Sequence, residues 1–179
     1  MEVLREAAAF LAGLSPRERE SFFRFSGVEL PDDPAGAERR LAETPVEPVA
    51  LLATAAARAA GEAPDLARRL GEAALRFARS REERQLAHVC LAQVHFRLRR
   101  DPEELAAFER HCGEAVRLGH AGSFCYERLA ALYEYEGRYG EAVRVCERAV
   151  EVLGRAGDEP SARRFRARLD RLRRKAAGG

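Results

Sequence analysis

An all-α fold is predicted by three features of the sequence: its vocabulary, its helix-capping signals and its internal repetition. Of 179 residues, 34 are Ala, 20 Leu and 30 Arg, with no Ile, Asn or Trp and only two Thr. Ala, Leu, Arg and Glu lose little side-chain freedom in a helix, while the β-branched residues that favour strands are confined to Val and the two Thr. Apolar residues make up 46% of the chain, enough for a core, and charged residues 34%. That balance excludes disordered and collagen-like chains. The longest uncharged apolar run, Val49 to Ala57, falls far short of the roughly 18 residues of a bilayer span, so no membrane role is expected.

Helices are expected over 2–13, 16–26, 34–43, 47–61, 64–79, 82–100, 102–118, 122–136, 139–154 and 160–176. Gly13 ends the first. Ser15-Pro16-Arg17-Glu18 opens the second with a side-chain acceptor at the N-cap, proline at the first helical position and a carboxylate three residues on. Gly27 closes it, and Asp33-Pro34 starts the third without the box. Pro45 to Pro48 and Gly61 to Pro64 bound the fourth helix, after which the fifth begins. Ser80-Arg81-Glu82-Glu83 and Asp101-Pro102-Glu103-Glu104 repeat the capping-box pattern for the sixth and seventh. Gly119 to Gly122, Gly137 to Gly140 and Gly154 to Pro160 separate the last three.

Gly71-Glu72-Ala73-Ala74-Leu75, Gly113-Glu114-Ala115-Val116 and Ala149-Val150 occupy the same place in their helices when the chain is cut into hairpins of 47–81, 82–121 and 122–155. Such a period marks stacked helical hairpins, because one hairpin cannot cover its own apolar face. In the last hairpin, Tyr126, Leu129, Ala130, Tyr133, Gly137, Tyr139, Ala142, Cys146 and Ala149 resemble the tetratricopeptide repeat signature. Ala130 stands where that family prefers Gly, and Gly154 where it prefers Pro. The match is weaker in the other two hairpins. The resemblance implies a TPR-like α-solenoid of about three helical hairpins, over 46–155, between an N-terminal helical segment (1–45) and a basic C-terminal capping helix (156–179). Phe165, Leu169 and Leu172 form the stripe by which that last helix should cover the stack. Phe22, Phe23 and Phe25 are expected to dock the N-terminal segment on the first hairpin, where it could also fill a groove.

The four Cys (Cys90, Cys112, Cys125, Cys146) and four His lie between His88 and Cys146 without the paired spacing of structural zinc. Cys112 and Cys146 align as small packing residues, and His88 and His95 align with Tyr126 and Tyr133 as helix-facing rings. No metal, no cofactor and no catalytic residues are therefore expected, and the chain is not read as an enzyme. A start rich in acids, Met1 to Glu6, and thiols without a disulfide framework fit a cytoplasmic protein. Usage rich in Ala and Arg and poor in Lys fits a GC-rich bacterial genome.

Proteins resembling tetratricopeptide arrays act as scaffolds, and the resemblance implies a concave groove for a peptide or helix of a protein partner. Carried onto this chain, the groove positions are Phe124, Glu127, Ala131, Glu134 and Tyr135 in the last hairpin, and Leu86, Val89, Gln93, Phe96 and Arg97 in the middle one. Val49, Leu52, Ala56, Ala59 and Ala60 follow in the first. This lining, with its two carboxylates, would suit a partner segment carrying a basic residue. The net charge of +2 hides a strongly basic last stretch. Its plainer reading is a solvated cap whose arginines favour the helix C-terminus. The sharper one is contact with an acidic protein or with nucleic acid through Arg164, Arg168, Arg171 and Arg174, the latter as in a nucleic-acid-associated regulator.

Overall fold

A computed structural model describes residues 2–177, which form ten helices with no strand among the described residues. These are α1 (Glu2–Ala12), α2 (Pro16–Ser26), α3 (Pro34–Ala42), α4 (Pro48–Ala59), α5 (Pro64–Phe77), α6 (Arg81–Arg97), α7 (Pro102–Leu118), α8 (Phe124–Tyr135), α9 (Tyr139–Arg155) and α10 (Glu159–Ala177). None of the described helices is long and apolar enough to cross a membrane. The chain divides into two compact units, Met1–Phe108 and Glu109–Gly179, with the division inside α7.

The first unit is organised around α4, which buries Val49, Leu51, Leu52, Ala53, Ala55, Ala56 and Ala59. A helix apolar on nearly every side needs neighbours all round, and α1, α2, α5 and α6 pack on it. Short alanine side chains allow close approach. α5 and α6 approach closely at Gly71, where an added Cβ would lie 2.6 Å from Cδ2 of the buried Leu91. Residues of the N-terminal segment, among them Leu11, Phe22, Ala37 and Leu41, share one apolar cluster with Val49, Leu70 and Phe77. Phe22 and Phe25 point into it, whereas Phe23 is 48% exposed, because three aromatics within four positions cannot all face one side of a helix.

Two capping boxes form as their spacing predicts. Ser15 N–H donates to Glu18 at 2.9 Å while Glu18 N–H donates to Ser15 Oγ at 3.3 Å, and Ser80 and Glu83 exchange the same pair at 2.8 and 3.0 Å. The box expected at α7 does not form. Asp101 Oδ1 accepts from Glu103 N–H at 2.9 Å, but the Glu104 carboxylate meets His95 Nδ1 at 2.5 Å and the Arg68 guanidinium. A guanidinium at a half-buried site is a stronger partner for a carboxylate than a solvated backbone amide.

In the second unit α9 packs against both α8 and α10. Tyr126, Leu129, Leu153, Phe165 and Leu172 are buried to 2% or less, with Ala130, Cys146 and Ala149 as the small residues between them. Phe165, Leu169 and Leu172 are the buried stripe of α10, and Tyr126 meets Phe165 edge-on with ring centroids 6.2 Å apart. Gly137 and Gly157, at φ 73° and 80°, supply the left-handed turns after α8 and α9. Asp158, a loop residue in the sequence reading, accepts from Ser161 N–H at 3.1 Å at the start of α10.

Candidate functional site

The expected groove residues fall in both units, and their surroundings differ. In the first unit Val49, Leu52, Ala56, Ala59 and Ala60 are each exposed by 1% or less. They are core and line no groove. The physical reason is that α1 and α2 cover α4, with Arg58 Nη1 donating to the Phe25 carbonyl at 3.1 Å. On α6, Val89 is buried, Leu86, Gln93 and Phe96 are half-buried and Arg97 is exposed. The Phe96 ring is engaged within the unit, 5.2 Å from the Phe108 ring and with the Arg99 guanidinium 4.1 Å above its face.

In the second unit the α8 positions lie beside α10. Glu127 and Glu134 are seven residues apart on one face of α8, and Arg164 and Arg171 have the same spacing on α10. Arg164 Nη2 meets Glu127 at 3.4 Å. Glu134 holds three cations: Lys175 at 2.9 Å, Arg168 at 3.1 Å and Arg171 at 3.4 Å. The Lys175 ammonium hydrogen-bonded to Glu134, with Arg168 and Arg171 beside it, keeps its carboxyl below the usual carboxylate range. Phe124 is half-buried, and Tyr135, at the last turn of α8, is 91% exposed.

Between these ion pairs runs an open cleft of about 600 Å³. Ala131 of α8 and Ala167 of α10, both exposed, leave its middle wide because neither side chain reaches across. Arg128 lines one side and Arg164, Arg168, Arg171 and Arg174 the other, with Glu127 the one carboxylate of the lining. Of the four arginines expected to form a polyanion contact, three thus touch carboxylates of α8, and Arg174 has no ion-pair partner among the described residues. Arg128 and Ala167 lie outside the expected site residues. The matching seven-residue spacing of acids on α8 and bases on α10 is the signal that would have found this pairing.

The thiols are placed differently. All four are buried. Burial raises the Cys112 thiol and pushes Cys146 up to about 11, the reverse of what activates a nucleophilic cysteine. Among the described residues, no group of three or more His, Cys, Asp or Glu side chains is placed to hold a metal ion. Neither models of known protein families nor curated proteins nor solved structures match this chain.

Proposed function

We propose that the chain is a protein-interaction adaptor that receives a peptide or helix of a partner protein in the cleft between α8 and α10. The observation that carries this reading is the cleft itself: two helices whose facing residues are alanines, with long side chains held to the rims by ion pairs. Small residues between charged rims leave room for a partner segment to lie along the two helices. The tetratricopeptide resemblance of residues 123–154 supports it, because α8 and α9 then read as one such hairpin and α10 as the helix that follows on the same side.

The test is a selection of displayed random peptides, about 15 residues or roughly four helical turns long, on the full chain. Peptides enriched on the native protein should lose binding to the Ala131→Trp protein, whose indole fills the cleft floor at an exposed position. Enriched peptides that bind both proteins equally would place recognition elsewhere and end the proposal.

A further inference from the structure

Resting on the cleft reading just given, we infer that the partner segment is acidic: a helix carrying Asp or Glu at i, i+3 or i+4, and i+7 along the stripe it lays between α8 and α10. The residue types of α8 alone point the other way, since Glu127 and Glu134 would attract a basic partner. In the fold these two carboxylates already face Arg164, Arg168, Arg171 and Lys175 of α10. What remains for a ligand is positive. Five guanidinium groups and one carboxylate line the cleft.

The donor arithmetic agrees. A guanidinium has five N–H donors and matches a carboxylate with two of them at once. Arg168 makes one hydrogen bond within the chain, from Nη2 to Glu134 at 3.1 Å, and its buried Nε has no acceptor. Arg171 makes one long bond of 3.4 Å to the same oxygen. Arg174, exposed on the rim, makes none among the described residues. Arg164 Nη2 is shared between Ser161 Oγ at 3.0 Å and Glu127, so the donors left over lie at the guanidinium tips of Arg168, Arg171 and Arg174, about one helical turn or 5.4 Å apart. Carboxylates one turn apart on a partner helix would meet them in register, and the alanine floor leaves room for that helix's backbone to come close.

Acidic protein is favoured over nucleic acid by one feature of the same cleft, the lack of a ring on which a base could stack. The one aromatic ring that lines the cleft, Phe165, is 2% exposed and packed on Tyr126, which leaves it no face for a base.

The selected peptides decide the question. Their sequences should be enriched in Asp and Glu at helical spacing, and replacing those acids by Asn and Gln in the synthetic peptide should weaken binding, read by fluorescence anisotropy, by about tenfold or more, as expected for loss of charge-assisted pairs. Arg174→Glu should weaken binding at least as much without altering the helical circular dichroism signal, since Arg174 holds no carboxylate in the fold, and Arg164→Ala should do so by a smaller factor. Enriched peptides that are neutral or basic yet sensitive to Ala131→Trp would overturn this inference and leave the adaptor reading standing. Peptides indifferent to Ala131→Trp, or no enrichment at all, would remove both. A single-stranded oligonucleotide that displaces the acidic peptide at moderate salt and binds more tightly would also overturn it, in favour of nucleic acid.

Discussion

The two units solve the same packing problem in opposite ways. In Met1–Phe108, α4 is apolar all round, and its neighbours close over it until the residues expected to line a groove vanish into the core. In Glu109–Gly179, α8 is covered on one side by α9, and α10 approaches it through ion pairs flanking a pair of alanines. The short α2 covers α4 with Phe22 and Phe25 and turns charged residues outward, where Glu18 pairs with Arg69 and Arg24 with Glu62, while α10 brings Phe165, Leu169 and Leu172 on one stripe and arginines on the rest. Charge follows the same division: the first unit holds 18 acidic and 16 basic residues, the second 15 basic and 11 acidic. Both covering helices carry charged outer faces, so the difference lies in what they leave exposed: the expected groove positions of α4 are lost to the core, whereas Ala131 of α8 stays exposed beside α10.

The largest expected effect breaks the closed side of that comparison. Phe22→Ala removes a side chain with no solvent exposure and should destabilise the protein by about 3–5 kcal/mol in urea unfolding. Phe23→Ala, one residue away at a 48% exposed site, should stay within about 0.5 kcal/mol. Equal losses at the two positions would mean that α2 does not present the face described here.

A smaller pair of effects separates two glycines that share a motif. At Gly71 an added Cβ would fall 2.6 Å from Leu91 Cδ2, whereas at Gly113 it would meet nothing within 4 Å. Gly71→Ala should therefore cost about 1–3 kcal/mol by overpacking. Gly113→Ala, inside α7, should stabilise by about 0.5–1 kcal/mol because alanine is the better helix former. Both values are read from the urea midpoint. A gain at both sites would remove the close approach from the account of the first unit.

These glycines also show what the sequence makes legible. Helix positions were readable because capping residues, prolines and glycines act locally: Ser15 with Glu18, Ser80 with Glu83, and Gly27 all do in the fold what their spacing implies. Motif likeness said less about packing. Gly71-Glu72-Ala73 and Gly113-Glu114-Ala115 look equivalent in the sequence, yet only Gly71 is pressed by a neighbour, and which helix lies opposite is a long-range fact. The same holds for Glu104, whose partners His95 and Arg68 lie on α6 and α5, and for Phe23, whose direction depends on which face of α2 is covered. At the cleft, the residue types of α8 and α10 were visible one helix at a time. Their net sign was not, because it emerges only when the acids of one helix are matched to the bases of the other.

The open side is sharpened by Glu134, where the effect is smaller and depends on pH. Its three cations are unequal: Arg168 is 22% exposed, while Lys175 and Arg171 are 45% and 53% exposed and well screened. Glu134→Gln should therefore destabilise by about 1–2 kcal/mol near neutral pH, most of it from leaving Arg168 unpaired. The carboxyl's folded value lies below its ordinary 4.5, so the unfolded chain takes up the proton first as pH falls. The stabilisation is full above that ordinary value and is lost as pH drops through the lower folded one. The gap between native and Glu134→Gln proteins in urea midpoint should be constant at neutral pH and shrink toward zero in acid. A gap that persists or grows below the ordinary carboxylate range would show that Glu134 acts through packing, and the electrostatic account of how α10 is held beside α8 would fail with it.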